Sequence, residues 1–495
     1  MRSAVRHSCA GTAGAPTVAT TTLRCRPALR RLAAFALPRR ASPQWHGICG
    51  GQVCRADGDD RGGAGPRVAV IGGGASGLTA ALFAARAGAQ VTVLERTREC
   101  GKKILMSGGS RCNVLPKQSI LDLDFFSESS KSALRAVFAS WSLGDVKLWL
   151  ESTDGGVGLR LGLEEETNKY FPLSDSSKEV RDNLVAACEQ SGVHFKYNAS
   201  VEDISSLPGG GWRCELPQKE RLEFDRLVVS TGGLSFPKVG TDGTGHRFLK
   251  ASGHSLGKGI YPALTPLTAP HPGGANLAGV SLYSVGLECV EADMGTKKKR
   301  KKKRGAEAIR TGLLFTHKGY SGPSILDLSH RTVQALERGE PLPALQVNWT
   351  GEDAGVWEER LAKGGPGLVL NVLKKHLPQR LAEALYAEAG VGAGRKLSEL
   401  RKEERLALLG LLSRYRIPIT GHQGYAKAEV TGGGVPLREI NCATMESKVL
   451  PGVYLCGEIC DVFGRIGGFN FYWAWVSGRL AGLGAAGDSA TKIEA

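Results

Sequence analysis

The chain has 495 residues, of which 42% are apolar, and this is enough to build about two to three domains with cores of their own. No run of 18 uninterrupted apolar residues occurs, so the sequence predicts no membrane span. The net charge of +16 comes from two segments, residues 1–50 and 297–304, while the remaining residues are balanced. The body of the protein is therefore not basic, and the charge does not indicate a general nucleic-acid-binding surface.

Residues 1–66 are predicted to be a transit peptide or disordered leader. This stretch is rich in Arg, Ala, Ser and Thr, contains no acidic residue before Asp57, and lacks the continuous apolar core of a secretory signal. Such a composition is typical of organellar targeting, and we expect the mature chain to begin between about Cys54 and Arg67. The Ser, Ala and Thr content favours the chloroplast (plastid stroma), with the mitochondrion as the alternative.

A nucleotide-binding pattern follows the leader. The apolar run Val68–Ile71 leads into glycines at Gly72, Gly74 and Gly77, then a helical pattern, and then a second apolar run that ends at Glu95. The three glycines permit a tight turn, a close approach of backbone N–H groups to a pyrophosphate, and close packing of helix on strand. The sequence therefore predicts a dinucleotide-binding βαβ unit, in which Glu95 accepts hydrogen bonds from a ribose.

A glycine-rich segment with three cations, residues 101–113, comes next. Its backbone freedom and Arg111 suit a second loop around a phosphate, or a turn that covers a ligand, and an ordinary surface loop is the alternative. Farther on, Ser176 and Glu179 have the spacing of a capping box that opens a helix through Cys188.

Two more buried strands are predicted at Leu227–Ser230 and Val453–Cys456. Each ends in a small polar segment, Thr231-Gly232-Gly233 and Gly457-Glu458. Because ligands bind beyond the carboxyl ends of strands in an open parallel sheet, we expect these segments to meet the first glycine turn at one crevice. Gly467-Gly468 then open an apolar helix whose free N–H groups would face an electron-rich ring.

The chain divides into five predicted segments. After the leader come the first part of a Rossmann domain at 67–260, an insert at 261–418, the second part of the Rossmann domain at 419–485 and a tail at 486–495. The insert is predicted to be β-rich at 262–350 and helical at 355–416. The run 297–304 (KKKRKKKR) is predicted to be a solvated loop between two strands; a nucleic-acid partner is not expected, although this run leaves it open. Neither cysteines nor histidines have metal-site spacing, so no metal is predicted.

These motifs together identify a family resemblance. The segments GKKILMSGGSRCN, TGGLSFPKVGTDGTG, LLFTHKGYSGPSIL, AEVTGGGVPLREIN and PGVYLCGEICD, with GGFN, resemble those of the YhiN/BaiN-like (aminoacetone oxidase-like) bacterial flavoproteins over residues 67–483. The resemblance implies an α/β fold: a glutathione-reductase-like Rossmann FAD-binding domain interrupted by a β-rich plus helical insert domain. It also implies a non-covalent FAD.

Carried onto this sequence, the resemblance places the pyrophosphate on the first glycine turn, the adenosine ribose on Glu95 and adenine on the backbone of Val201. It places the ribityl chain and flavin near Thr231, Glu458, Asp461 and the start of the last helix. The complete predicted set of cofactor-binding residues is Gly72, Gly74, Ala75, Ser76, Gly77, Glu95, Arg96, Lys102, Gly108, Gly109, Arg111, Cys112, Asn113, Val201, Thr231, Gly232, Gly457, Glu458, Asp461, Gly467, Gly468, Phe469 and Asn470.

The function implied is that of an FAD-dependent oxidoreductase that reduces a conjugated C=C bond, or a related group, in a small organic substrate. A flavin-dependent amine oxidase is one alternative, and a non-catalytic FAD-binding sensor that binds RNA or a protein partner is another. Only one complete dinucleotide motif is present, so NAD(P)H is expected at most as a transient reductant. Tyr472, Tyr170 and His317 are the candidate proton donors, and each is equally consistent with a packed or capped residue.

Overall fold

The computed structural model describes residues 65–290 and 309–487; the basic run and nearly all of the predicted leader and tail lie outside these ranges. The helices are α1 Ala75–Arg86, α2 Lys102–Met106, α3 Leu121–Asp124, α4 Lys131–Phe138, α5 Leu143–Glu151, α6 Ser177–Gln190, α7 Thr244–Ala251, α8 Pro323–Arg338, α9 Ala354–Ala362, α10 Val369–Lys374, α11 Gln379–Glu388, α12 Lys402–Ser413 and α13 Phe469–Ala486. None of these described helices is both long and apolar enough to cross a membrane.

The strands are short, except for β14 and β15. They are β1 Arg67–Ile71, β2 Gln90–Glu95, β3 Leu115–Pro116, β4 Phe125–Phe126, β5 Leu161–Glu164, β6 Lys169–Pro172, β7 His194–Tyr197, β8 Asp203–Ser206, β9 Trp212–Glu215, β10 Arg221–Phe224, β11 Arg226–Val229, β12 Tyr261–Ala263, β13 Leu267–Thr268, β14 Ser281–Val290, β15 Ile309–Thr316, β16 Gly319–Ser321, β17 Ala344–Asn348, β18 Tyr415–Arg416, β19 Gly421–His422, β20 Val430–Gly432, β21 Val453–Leu455 and β22 Phe463–Gly464.

A five-stranded parallel sheet organises the nucleotide-binding part. Its order is β21-β11-β1-β2-β7, and every neighbouring pair is parallel. The central strand β1 is apolar because helices cover the sheet, and Val68, Ala69 and Val70 have no exposed surface. Helix α1 packs closely against α13 and also contacts α6. The predicted fold class, an α/β protein with a Rossmann-like parallel sheet, is confirmed.

A second apolar core lies between Tyr261 and Ile417 and takes in Val430 and Phe463. Its sheet has seven antiparallel strands in the order β18-β17-β14-β15-β16-β13-β19, and helices α8 to α12 follow or separate these strands. Strands β14 and β15 pair antiparallel on the two sides of the basic run, whose own residues lie outside the described ranges. The boundaries 261 and 418 stay a prediction, and the short strand β19 joins this sheet just beyond the second of them.

Two local predictions are wrong. Helix α6 begins at Ser177 as expected, but the Ser176 side chain makes no capping bond, since Glu179 instead accepts a hydrogen bond from Ser174. The glycine-rich segment 101–113 is not a plain loop, because residues 102–106 form helix α2 and residues 107–110 a tight 3-10 turn. At α6 the nearby Ser174 takes the place of the Ser176 N–H as the partner of Glu179.

Candidate functional site

A cavity of about 630 Å³ lies at the carboxyl ends of the parallel strands. Segments that directly follow β1, β2, β11 and β21 line it, together with segment 101–113, part of α13 and residues from the second core such as Leu264 and Val430. The convergence expected from the positions of the strand ends is therefore observed.

The first glycine turn shapes one wall of the cavity. Gly72 has φ +104°, and a Cβ there would lie 2.7 Å from the Ser230 carbonyl oxygen. Gly74 caps α1 without a side-chain hydrogen bond, and a Cβ on it would meet nothing within 4 Å. The N–H groups of the first turn of α1 are thus open to the cavity, in the arrangement that binds pyrophosphates.

Glu95 is fixed at the rim of the same wall. Its Oε2 accepts a hydrogen bond from the Gly73 N–H at 2.8 Å, and its Oε1 accepts from the N–H and hydroxyl of Thr97, each at 2.8 Å. The backbone holds this carboxylate at the end of β2, and Val201 lies on the same cavity surface. The role of Glu95 in binding ribose stays a prediction.

Arg111 is held by three contacts in the segment opposite the turn. Its guanidinium donates to Glu164 at 2.9 Å and to Asp175 at 2.8 Å, and it lies 4.1 Å from the centre of the Phe171 ring. Gly108 and Gly109 have φ of 55° and 67°, and both line the cavity with Lys102 and Asn113.

Two further ion pairs border the cavity. Lys103 donates to Glu458 at 2.7 Å, and the other oxygen of Glu458 accepts the Thr431 N–H at 2.9 Å. Arg96 pairs with Asp242 at 2.8 Å. Partial burial would favour the neutral acid, but hydrogen bonds from Arg96 and Thr244 lower the pKa of Asp242 to about 2.

The start of α13 forms the far wall. Gly468 has φ +90°, and a Cβ there would lie 2.6 Å from the Leu115 carbonyl carbon, so only glycine fits. The Asn470 amide accepts the Gly464 N–H at 2.8 Å and donates to the Gly464 carbonyl at 3.0 Å. These bonds bring Gly467, Gly468 and Asn470 onto the cavity surface at the positive end of an 18-residue helix.

Four residues of the predicted cofactor set do not line the cavity. Gly77 packs against β1, where a Cβ would lie 2.0 Å from the Gly72 carbonyl oxygen. The Cys112 side chain is fully buried, and burial raises the pKa of its thiol to about 12. The Phe469 ring packs edge-on against Phe125. The structure places these side chains in the core next to the site.

Asp461, the fourth, is turned away from the cavity. It is 2% exposed and accepts hydrogen bonds from the Ser127 hydroxyl at 3.1 Å and the Glu128 N–H at 2.8 Å. The other predicted residues all border the cavity: Gly72, Gly74, Ala75, Ser76, Glu95, Arg96, Lys102, Gly108, Gly109, Arg111, Asn113, Val201, Thr231, Gly232, Gly457, Glu458, Gly467, Gly468 and Asn470.

None of the three candidate proton donors reaches the cavity. The Tyr472 hydroxyl is buried and donates to the Trp141 carbonyl at 3.1 Å. The Tyr170 ring lies beneath the Lys147 ammonium, and His317 is exposed in the turn between β15 and β16. The structure thus places all three outside the cavity, and a role as proton donor stays a prediction.

Sequence reasoning missed several cavity residues, among them Gly73, Lys103, Lys169, Phe171, Asp242 and Glu429. Lys103, Asp242 and Glu429 stand in three of the segments quoted for the resemblance, so the signal was present for them. Lys169 and Phe171 lie on β6, whose pairing with β3 and β5 no local pattern indicates.

The cavity fits FAD in its size and its donors. Its volume falls within the ~300–1,000 Å³ typical of cofactor sites. Its surface carries the start of α1, the Glu95 carboxylate and the start of α13. Among the described residues, no group of three or more His, Cys, Asp or Glu is placed to hold a metal ion.

Sequence comparison settles the family. The profile of the HI0933-like protein Rossmann domain matches residues 66–484. The chain belongs to the HI0933-like family. HI0933-like proteins are Rossmann FAD-binding proteins and FAD-dependent oxidoreductases, so the resemblance and the enzyme class predicted above are confirmed.

This HI0933-like chain matches two curated relatives over almost their full length. It is 32% identical to a ribosomal RNA dihydrouridine synthase of Escherichia coli over 419 residues, which are 82% of this chain and 95% of the relative. It is 28% identical to a 3-dehydro-bile acid delta(4,6)-reductase of Clostridium scindens over 431 residues, 85% and 99% of the two chains. A 3-ketosteroid-delta4-(5alpha)-dehydrogenase structure from Rhodococcus jostii aligns at 16% identity and TM-score 0.39 over 85% of this chain and 96% of its own.

Proposed function

We propose that this protein uses FAD to reduce a C=C bond conjugated to a carbonyl in a ring substrate. Dihydrouridine is uridine whose ring C=C is saturated, and the bile acid reductase is named for ring double bonds, so the names of both relatives describe this one type of reaction. The single observation that carries the proposal is the composition of the cavity wall. The segments expected to face a dinucleotide and residues of the second apolar core, such as Leu264 and Val430, line the same space.

FAD, when bound, supplies a hydride to the substrate. The glycine turn holds the pyrophosphate through the N–H groups of α1, and Glu95 orients the adenosine ribose. The start of α13 at Gly468 would favour negative charge on a flavin ring bound in the cavity. NADH or NADPH serves as a transient reductant, which is consistent with one complete dinucleotide motif in the sequence.

The test uses the full chain loaded with FAD under anaerobic conditions. NADPH or NADH is supplied with a uridine-containing ribosomal RNA fragment or a conjugated 3-keto steroid, and the product is measured by mass spectrometry. We expect one substrate class to gain two hydrogens. If neither substrate is reduced while an amine is oxidised, the protein is the alternative amine oxidase. If the flavin takes part in no turnover, the sensor alternative replaces the proposal.

We also propose that residues 1–66 direct the protein to the plastid. A fusion of these residues to a fluorescent reporter is expected to enter chloroplasts. Mitochondrial signal would support the alternative location, and diffuse cytosolic signal would remove the targeting role.

A further inference from the structure

Among the described residues, all but one of the carboxylates that line the cavity have a hydrogen-bond or ion-pair partner. Six carboxylates line it: Glu95, Glu99, Glu164, Asp242, Glu429 and Glu458. Glu95 accepts hydrogen bonds from the backbone, and Glu99, Glu164, Asp242 and Glu458 each pair with an Arg or Lys. Among the described residues no hydrogen bond or ion pair holds the Glu429 carboxylate, and this exposed side chain borders the cavity where a ligand can reach it.

The backbone of Glu429 is fixed although its carboxylate is not. Its N–H donates to the Leu264 carbonyl at 3.1 Å, and the next residue, Val430, pairs with Ala263 in the β12–β20 ladder. Leu264 and Val430 are buried apolar neighbours that line the same cavity. An acid on a rigid strand end, with an apolar surface beside it, is placed as a positioned acid or base must be.

We infer that Glu429 is the catalytic acid of the proposed reduction, which protonates the substrate carbon next to the carbonyl. The inference rests on the proposed function and names the residue that completes it. The O–H bond of the Glu429 carboxyl breaks and a C–H bond forms at that carbon, while the β-carbon receives the hydride. Two electrons pass from the reduced flavin to the C=C bond, a nicotinamide replaces them, and solvent returns the proton to Glu429.

The electrostatic surroundings of Glu429 agree with this role. Removal from bulk water raises the pKa of its carboxyl, and Lys103 acts in the opposite direction as the charged neighbour. Because Glu458 already pairs with Lys103 at 2.7 Å, that ammonium is shared and does not neutralise Glu429. The net direction of the shift favours the acid form of Glu429, as a proton donor requires.

The test separates cofactor binding, flavin reduction and proton transfer. In the FAD-loaded full chain, Glu429→Gln is expected to retain FAD and to be reduced by dithionite at the wild-type rate. Its reduction of the conjugated substrate is expected to fall by about 10²- to 10⁴-fold, with partial recovery in Glu429→Asp. Glu288→Gln, on an exposed position of β14 outside the cavity, is the matched control and is expected to match the wild type.

A readout independent of turnover is the infrared carboxylic-acid band followed in a pH titration of each protein. A component of this band that titrates at higher pH than a free glutamate is expected in the wild type and in Glu288→Gln, and only that component is expected to be lost in Glu429→Gln. Wild-type turnover in Glu429→Gln, no difference in this band, or loss of FAD from that variant would each overturn the inference. So would loss of turnover in Lys169→Met with turnover retained in Glu429→Gln, since Lys169 also lines the cavity and has no ion pair among the described residues. If the wild type itself reduces no conjugated substrate, the proposed function fails and this inference falls with it.

Discussion

At the scale of single residues, Gly74 is a position where a substitution is expected to affect cofactor binding and not the fold. Its φ of −80° suits any L-residue, and a Cβ there points into open space. The protein around Gly74 therefore imposes no requirement for glycine, and we propose that the requirement comes from the ligand that is to occupy that space.

We expect Gly74→Val to keep the fold and to weaken FAD binding at least tenfold, about 1.4 kcal/mol, because the added methyl groups occupy the pyrophosphate position. Fluorescence titration with FAD measures the affinity, and the melting temperature of the apoprotein checks the fold. Gly209→Val is the control, since Gly209 also has open space around its Cβ and lies outside the cavity. Equal FAD affinity in the two variants would show that the turn does not bind the cofactor.

Asp461 gives a prediction for pH. Burial raises the pKa of its carboxyl from 3.8 to about 6, against the opposing hydrogen bonds of Glu128 and Ser127. The folded state thus holds this proton more tightly than the unfolded state, so Asp461 favours folding below about pH 4. That contribution is lost as the pH rises through 6, by on the order of 3 kcal/mol.

Asp461→Asn removes this titration. The free energy of unfolding of the variant minus that of the wild type is expected to increase from pH 4 to pH 7. Urea denaturation of both proteins at each pH measures this difference. FAD binding is expected to be unchanged because the side chain does not face the cavity. A constant difference at all pH values, or loss of FAD, would contradict this account of Asp461.

At the scale of elements, the pair α1 and α13 depends on small residues. A Cβ on Gly482 would lie 2.3 Å from the Ala80 carbonyl oxygen, and one on Gly478 would lie 2.5 Å from that of Ser76. This close approach of two helices positions the turn at the start of α1 next to the strand ends that line the cavity.

Gly482→Ala is expected to lower the free energy of unfolding by about 1–3 kcal/mol, since the backbone contact must open. Gly410→Ala, in α12 with open space at its Cβ, is the matched helical control and is expected to raise it by about 0.4–1 kcal/mol. Urea denaturation of the two variants tests the contrast. The same sign of change in both would show that helix propensity, and not the contact, dominates.

The sequence predicts the elements of the parallel sheet well because each is encoded locally: an apolar run, then a turn or a helix. Residues as distant as Glu95, Thr231 and Glu458 could be brought together because strands in one parallel sheet end at one edge. The role of Glu179, the helix within 101–113 and the position of Lys169 were not predictable. Glu179 is bonded by Ser174, a competing partner in its own segment, and the position of Lys169 depends on the pairing of β6 with β3 and β5.

At the scale of the whole molecule, Arg465 connects the two apolar cores. Its guanidinium lies 3.3 Å from Asp124 and 3.2 Å from Asp327, and the Ile466 N–H also donates to Asp327 at 2.7 Å. Asp327 lies on α8 and is 2% exposed, and burial raises its pKa. The charge of Arg465 opposes this rise and favours the ionised form of Asp327 between the cores.

Arg465→Met is expected to cost about 3–5 kcal/mol of unfolding free energy, because it leaves a buried carboxylate without its cation. The double variant Arg465→Met with Asp327→Asn is expected to recover part of this loss. Calorimetry of the full chain measures both. Equal stability of the single and double variants would mean that the ion pair does not hold the two cores together.

The central claim is that a reduced flavin in this cavity passes its electrons to a conjugated C=C bond. The most direct measurement is the absorbance of the FAD-loaded, anaerobically reduced full chain after addition of the uridine-containing RNA fragment or the 3-keto steroid. We predict that the oxidised flavin spectrum returns with one of them, in proportion to the substrate consumed. A spectrum that stays reduced with both, or a chain that retains no FAD, would contradict the account.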